Sequence, residues 1–542
     1  MKFKLENIDA HRIADVVASG CKLLLRSLGL FIRLFLDSAT DVIFGLVNKN
    51  KSESLPPITD LILLESAKSL AAKIRTRKLK SVQVVESFIA RINEVNPILN
   101  AVIDDNFLRA LEDAKKVDEL IASGLKSEKE LEDETPFLGV PFTTKDSIAV
   151  EGLHQTIGLR RRKDEIADKD AEVVRLMRKA GAIILAHTNV SEVCMWWESS
   201  NNVYGTTNNP YDTTRIAGGS SGGEGSIIAA AGSVMGIGSD VGGSIRIPSF
   251  FNGIFGHKPS TGLGGSEGQL PIPMGEIRKY VVSGPMCRYA SDMLPIFKVL
   301  AHEHLDKLNL DEAVNISSLR YFYMSNDGGS ALVSKVHPSI KKALGKVISY
   351  FQTAHGIKSQ KVEFEQMKHS VDIWSHKMTG AGAPKFCEEL VERKGKLNCF
   401  WELLKWFCWC SDHTLPAISL GIVEKFSGPE TRMYDSFMNM YTDLSKEFDD
   451  LLGSNGVFLY PTHPRPAPYH NQPLLMPFNF SYTAIFNVLG LPSTNCPLGL
   501  NENGLPIGIQ VVANKYNDRL CLAVACELER AFGGWVSPSL IY

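Results

Sequence analysis

The chain is short of the residues that mark disulfides, metals and cofactors. Ten cysteines in 542 residues are too few for a disulfide framework. No HExxH, no GxxxxGK[ST] and no CxxC pair occurs, so zinc-protease, phosphate-loop and thiol-redox chemistry have no signature here. Cys408 and Cys410 lie in an aromatic run at no metal-binding spacing, and His302 and His304 read as surface residues. A protein without metal or cofactor is expected. No sign of charge dominates either. A net charge of −2 leaves no basic footprint, so no nucleic acid partner is expected. With 44% hydrophobic and 22% charged residues the chain is globular, long enough for one large core or two moderate ones.

An uninterrupted apolar run of membrane-spanning length is also missing. Val16–Val47 is rich in Leu, Ile, Val and Phe, but Lys22, Arg26, Gly29, Arg33, Asp37 and Asp41 recur at spacings of three and four. On a helix they form one narrow polar stripe beside a broad apolar face. Near a helix centre Arg26 and Arg33 would each cost roughly 2.5–3.5 kcal/mol, against about 0.3–0.6 returned per Leu, Ile or Phe. An interfacial helix is the physical expectation, with a helix packed on its own domain or a partner chain as the alternative. Two arginines and no small-residue cleavage site argue against a signal peptide. Lys49–Pro57 is polar and proline-ended, a linker. Residues 1–50 are therefore expected to form an anchoring helix and linker, and 51–542 one domain.

Beyond the linker, Leu63–Ile92 and Asp170–Ala180 have helical patterns. Ala182–Ala186 and Val234–Ile237 look like short strands, and Glu224–Ala231 like a small-residue helix. Alternation of this kind predicts an α/β fold. Pro384–Leu420 concentrates Trp401, Trp406 and Trp409, three of the chain's seven tryptophans. It is either an aromatic core helix or a surface that meets a membrane interface, where tryptophan is favoured.

What is present in strength is serine and glycine. Arg215–Pro248 holds GGSSGG at Gly218–Gly223 and DVGGS at Asp240–Ser244. Glycine loops can turn successive backbone N–H groups toward an anion. A serine at the end of such a loop can attack a carbonyl while the amides hold the oxyanion. Neither loop contains a histidine, and the nearest, His257, reads as structural. Lys145, at the centre of VPFTTKDSIAV, is the candidate base. A shift from about 10.4 to about 7–8 requires burial, at roughly 1.36 kcal/mol per unit. An apolar strand before Lys145 suits that, although a structural ion-pair lysine fits the same residues. Ser221 is placed to cap the following helix, and Asp240 and Arg246 to tie the ends of the second loop. Gly218–Gly222 also satisfies GxSxG, but the polar segment before it does not match the buried strand of a nucleophile elbow.

These segments resemble the amidase signature family, and within it the enzymes that hydrolyse fatty acid amides. NPILNAVID, GPMCRYASD, YPTHP and NVLGLPSTNCPLG extend the resemblance from about Ile58 to the C-terminus. It implies a large mixed sheet covered by helices on both faces, with an N-terminal membrane-associated helix. It implies a catalytic triad of Lys145, Ser220 and Ser244, with a cis peptide at Gly219–Ser220. The N–H groups of Val241, Gly242, Gly243 and Ser244 become the oxyanion hole. Cys194 falls where a backbone carbonyl lines the substrate site, a position at which many relatives carry methionine. The implied substrate is a lipid amide, cut to fatty acid and amine through an acyl-serine. The implied location is an intracellular membrane, reached through a single span or an interfacial helix, and a homodimer is left open. An amidase for small or peptide amides, an amidotransferase subunit and a catalytically silent scaffold remain as alternatives.

Overall fold

The computed structural model describes residues 10–382, 384–426 and 428–542, with side chains from Ser27 onward. One mixed sheet of eleven strands runs through it. In chain order these are β1 (Val102–Asp105), β2 (Pro141–Lys145), β3 (Ile183–Thr188), β4 (Met235–Asp240), β5 (Phe255–Lys258), β6 (Val282–Cys287), β7 (Arg320–Tyr323), β8 (Gln360–Lys361), β9 (Gly456–Tyr460), β10 (Ser493–Leu500) and β11 (Pro506–Ala513). Across the sheet the order is β1-β3-β2-β4-β6-β5-β10-β11-β9-β7-β8. Parallel pairs β3-β2-β4 and β9-β7-β8 bracket an antiparallel middle.

Helices used below are α1 (Ala10–Val47), α2 (Ser81–Leu99), α3 (Gly222–Ala229), α4 (Arg246–Phe251), α5 (Ser370–Gly380), α6 (Cys399–Phe407), α7 (Leu415–Val423), α8 (Ser481–Val488) and α9 (Asp518–Phe532). They cover both faces of the sheet, as the resemblance implies. In β9, Val457 and Leu459 enter a core shared with α2 and α9. Phe458 and Tyr460 enter a second core shared with α4 and α8. Successive side chains on a strand point to opposite faces, so burial on both sides explains why GVFLY is apolar at every position.

Most expected elements stand where the pattern placed them, within a few residues. Asp170–Ala180 is helical over Glu172–Lys179, Ala182–Ala186 becomes β3, and Glu224–Ala231 becomes α3. The continuous helix expected over Leu63–Ile92 is instead two, Ala67–Arg75 and α2. Asp118, distant in sequence, accepts from the Ser81 and Val82 amides at 2.7 and 3.1 Å. It starts a new helix there by satisfying its orphan donors.

α1 is an amphipathic helix turned inside out. Its polar stripe faces the body of the protein and its apolar face points away. Arg33, Asp37 and Thr40 are buried, while Phe31 is 67% exposed, Phe35 64% and Leu46 71%. Arg33 pairs with Asp37 and donates to Leu475 O at 2.7 Å. Ser334 donates to Asp37 at 3.1 Å, Gln472 donates to Asp41 at 2.8 Å, and Arg465 pairs with Asp41. The Lys22 and Arg26 side chains lie outside the described residues. Among the described residues no helix is long and apolar enough to cross a membrane, so the single span implied by the resemblance has no support here. The Trp401–Trp409 region is not an aromatic core helix either. Phe400, Trp401, Leu404, Phe407 and Trp409 are exposed, while Trp406 and Leu403 turn inward onto Cys387, Cys399 and Ile418 and Glu402 is buried.

Asp37→Ala with Asp41→Ala removes the carboxylate bonds that help seat α1, leaving the Arg33 bond to Leu475 O. A hydrogen bond to a charged group contributes about 1.5–3 kcal/mol, so tryptic cleavage near Lys49–Lys51 should rise at least about tenfold. The denaturation midpoint of the remaining body should not change. Unchanged cleavage would mean that these carboxylates do not seat the helix.

Candidate active site

β2 and β4 lie side by side and run the same way. Lys145 ends one and Asp240 ends the other, so both loops that follow open at the same edge. Crevices at the carboxyl ends of parallel strands are the usual site position in such sheets. Here that edge brings together the end of β2, the GGSSGG loop before α3 and the DVGGS loop before α4.

Lys145 is fully buried. Its Nζ donates to Ser220 Oγ at 2.8 Å and Ser239 Oγ at 3.1 Å. Burial drives its pKa below the ordinary lysine value, while Cys194, Asp240 and Glu224 pull the other way. Ser220 is also buried, whereas Ser244 is half-buried. Accessibility thus increases from Lys145 toward Ser244. The Ser221 amide donates to Ser244 O at 3.2 Å, tying the two serine loops together. The Gly219–Ser220 peptide is cis, as expected.

Two groups near the lysine were not singled out from the sequence. Ser239 reaches Nζ because β4 is registered beside β2, with Thr144 opposite Ile237. Glu224 sits fully buried on α3 and accepts from Thr143 and Thr188, each at 2.8 Å. Burial pushes its pKa up to about 8 despite these donors and Lys145. A carboxyl whose ionisation is opposed by burial pulls less on the lysine's proton than a fully ionised one would. No local motif announces either group, since both depend on strand and helix neighbours.

The second loop is built around Asp240. Arg246 grips this carboxylate through Nε and Nη2 at 3.1 and 3.0 Å, with both side chains fully buried. Asn487 donates to it at 2.9 Å. Burial alone would raise the Asp240 pKa, but Arg246, Asn487 and Lys258 hold it well below the ordinary value. Arg246 also reaches Thr483 O at 2.9 Å and Asn487 Oδ1 at 2.6 Å, pinning the loop to α8. Gly243 has φ +128°, and a Cβ there would lie 2.1 Å from Thr483 Oγ1. Only glycine fits.

Two expectations need correction. The Gly243 amide donates to Asp240 Oδ1 at 2.8 Å, so it is committed to the loop. Of the four expected oxyanion donors, those of Val241, Gly242 and Ser244 remain as candidates. Ser221 does not cap α3, because its hydroxyl is buried without a partner among the described residues. Ser199 takes that task, accepting from the Gly222 amide at 2.9 Å and donating to Ser220 O at 3.2 Å. The loop-tying expectation for Asp240 and Arg246 matches the geometry.

Cys194 lies near Lys145 and opposes the lowering of its pKa. The segment that follows it packs on the serine loop: Ser199 donates to Ser220 O, and a Cβ at Gly219 would lie 2.6 Å from Trp196 O. His257 is buried between Thr494 at 2.8 Å and Asp518 at 3.2 Å, bound as a structural histidine would be. The GxSxG alternative finds no support. The strand before it, Asp212–Ile216, belongs to a two-stranded ribbon outside the main sheet. An elbow would also need a later histidine, but His470 bonds Glu198 and Thr213 O and His463 bonds Arg465 O through Nδ1, none of these partners being a serine.

Comparison with known proteins places this geometry in a family. The family model described as Amidase matches residues 83–522. The chain is 49% identical over 489 residues to fatty-acid amide hydrolase 2-A of Danio rerio, covering 89% of this chain and 92% of that one. It is 46% identical over 521 residues to fatty-acid amide hydrolase 2 of Homo sapiens, covering 94% and 98%. A solved structure described as fatty acid amide hydrolase has the same fold, with a TM-score of 0.69 at 22% identity over 89% of this chain and 87% of that one.

Arg246→Met should leave Asp240 as a buried, unpaired carboxylate at a cost of about 3–5 kcal/mol, read as a lower denaturant midpoint. Adding Asp240→Asn should recover part of the loss. If the single and double variants are equally unstable, the ion pair is not what holds the loop.

Proposed function

This chain belongs to the amidase family, and we propose that it cleaves fatty acid amides to fatty acid and amine through an acyl-serine. The observation that carries the reading is the fully buried Lys145, held 2.8 Å from Ser220 beside a half-open Ser244. A desolvated lysine with hydroxyl partners can be neutral and basic at working pH. Neutral Nζ takes the Ser220 hydroxyl proton, and Ser220 Oγ takes that of Ser244. Ser244 Oγ then bonds to the amide carbon. The oxyanion faces the N–H groups of Val241, Gly242 and Ser244, each such donor being worth about 10²–10³ in rate. Ser220 returns a proton to the amide nitrogen as the C–N bond breaks. Amine cannot leave without that proton. Water then cleaves the acyl-serine by the same relay.

The relatives' names support a long acyl chain in the substrate. So do the exposed apolar faces of α1 and α6. We propose that both rest in a lipid interface, α1 lying in its plane rather than spanning it. With the polar stripe of α1 bonded inward, the outward residues are free to meet acyl chains.

Ser244→Ala should abolish turnover and fluorophosphonate labelling without loss of fold, and full activity in it would refute the acyl-serine. Lys145→Ala should lower amide turnover at least about a hundredfold and that of the matched ester less, because an ester needs little proton return. In the native enzyme the amide rate should rise with pH as Lys145 loses its proton, below the ordinary lysine range. That limb should vanish in Lys145→Ala. Equal losses on amide and ester would remove Lys145 from the relay.

Trp401→Ser with Trp409→Ser should weaken binding to phosphatidylcholine vesicles and slow long-chain amides in them, while sparing short-chain amides in solution. Equal effects on both substrates would assign these residues to packing.

A further inference from the structure

The turn that carries Cys194 is strained. Val193 has φ 55°, ψ 17° and Cys194 has φ 57°. Left-handed backbone is uncommon for any non-glycine residue and an outlier for a β-branched one. Such conformations persist only where the surroundings over-determine them. Within the turn the Cys194 amide donates to Ser191 O at 2.8 Å, and Ser191 Oγ donates to Trp196 O at 2.9 Å and accepts from the Trp196 amide at 3.2 Å; the Val193 amide donates to Ile157 O at 2.8 Å. A further hold comes from far along the chain. Glu192 Oε1 accepts from His413 Nδ1 at 2.6 Å, and Oε2 from the Thr414 amide at 2.7 Å. Glu192 is 3% exposed and His413 5%. Val193 packs against Phe386, Leu390 and Ala417 of the same excursion. His413 is itself fixed from α6, because its amide donates to Ser411 Oγ at 3.1 Å and Ser411 donates to Glu402 at 2.8 Å.

We propose that Glu192 and His413 are positioning residues: their buried pair clamps the strained turn, and so fixes the Trp196–Ser199 segment that seats Gly219 and Ser220 against Lys145. The clamp joins the 386–423 excursion, with its exposed aromatic face, to the innermost part of the site. Neither residue touches Ser220 or Ser244. They act through the turn, and the effect falls on the contact between Ser220 and the lysine. This inference rests on the reading of Lys145 as the proton relay. A misplaced relay penalises amides more than esters, whereas a loss of folded protein lowers both alike.

The test uses the full-length chain, a water-soluble short-chain p-nitroanilide and the matching p-nitrophenyl ester. His413→Ala should lower kcat on the anilide about tenfold or more and on the ester less than about threefold, since small displacements of a catalytic group cost steeply in rate. KM should change little for either substrate. His413→Asn, which keeps a donor near the Nδ1 position, should retain the native anilide-to-ester ratio. Val193→Gly relaxes the turn, so the double variant His413→Ala, Val193→Gly should recover much of the anilide rate. If His413→Ala does not fold, Glu192→Gln with and without Val193→Gly gives the same comparison. Parallel losses on anilide and ester, in step with the fraction folded, would overturn the proposal and leave a structural ion pair. So would an anilide rate that Val193→Gly fails to restore. Lys145→Ala is measured alongside: if it lowers both substrates equally, the relay reading fails, and that failure is seen independently of the clamp.

Discussion

Removing water from one lysine is the constraint on which the rest of the site depends. In bulk water Lys145 would hold its proton near pH 10 and could not act as a base. The fold puts it at the end of a central strand, covers both faces of the sheet, and supplies hydroxyls where a carboxylate would otherwise restore the charge. Glu224 approaches the same region, yet burial pushes its own pKa up to about 8 and so weakens its pull on the lysine's proton. A fully ionised glutamate there would favour the ammonium and work against the relay.

The neighbouring strand treats charge in the opposite way. Asp240 and Arg246 are equally buried but fully paired, and every arm of the guanidinium has an acceptor. Arginine suits this role because its fork matches a carboxylate and it does not give up its proton. Lysine suits the other because its pKa moves readily on burial. Two buried cations one strand apart thus divide the work. One holds the glycine loop rigid, and the other is left with partners that tolerate a neutral amine.

The same economy of partners shapes the outer surface. α1 spends its charged side chains on Leu475, Gln472, Arg465 and Ser334, leaving a face of Leu, Ile, Val and Phe without protein cover. α6 likewise buries Glu402 and exposes Trp401, Phe407 and Trp409. In both helices polar groups point into the protein and apolar groups out, the reverse of a helix whose only solvent is water.

Much of this was legible in the sequence. The serine-glycine loops, Lys145 after an apolar strand, and the period of α1 are local patterns, and local pattern fixes element type and loop chemistry. The α/β class follows from the same kind of information. Three things did not. The direction of α1's polar stripe depends on which surface it meets, and periodicity is blind to that. Ser239, Glu224 and the Glu192–His413 pair join residues far apart in the chain. Their contacts exist only once strands are registered and helices laid on the sheet. The loss of Gly243 as an oxyanion donor and of Ser221 as a cap has the same cause. Asp240 and Ser199 reach those amides first, and which of several hydrogen-bonding groups wins an amide is settled by distance in the folded chain. The sequence alone determined the chemistry available and the elements that carry it. Only the tertiary structure decided which groups are dry, which are paired and which face outward, because burial and partnership are properties of neighbours in space.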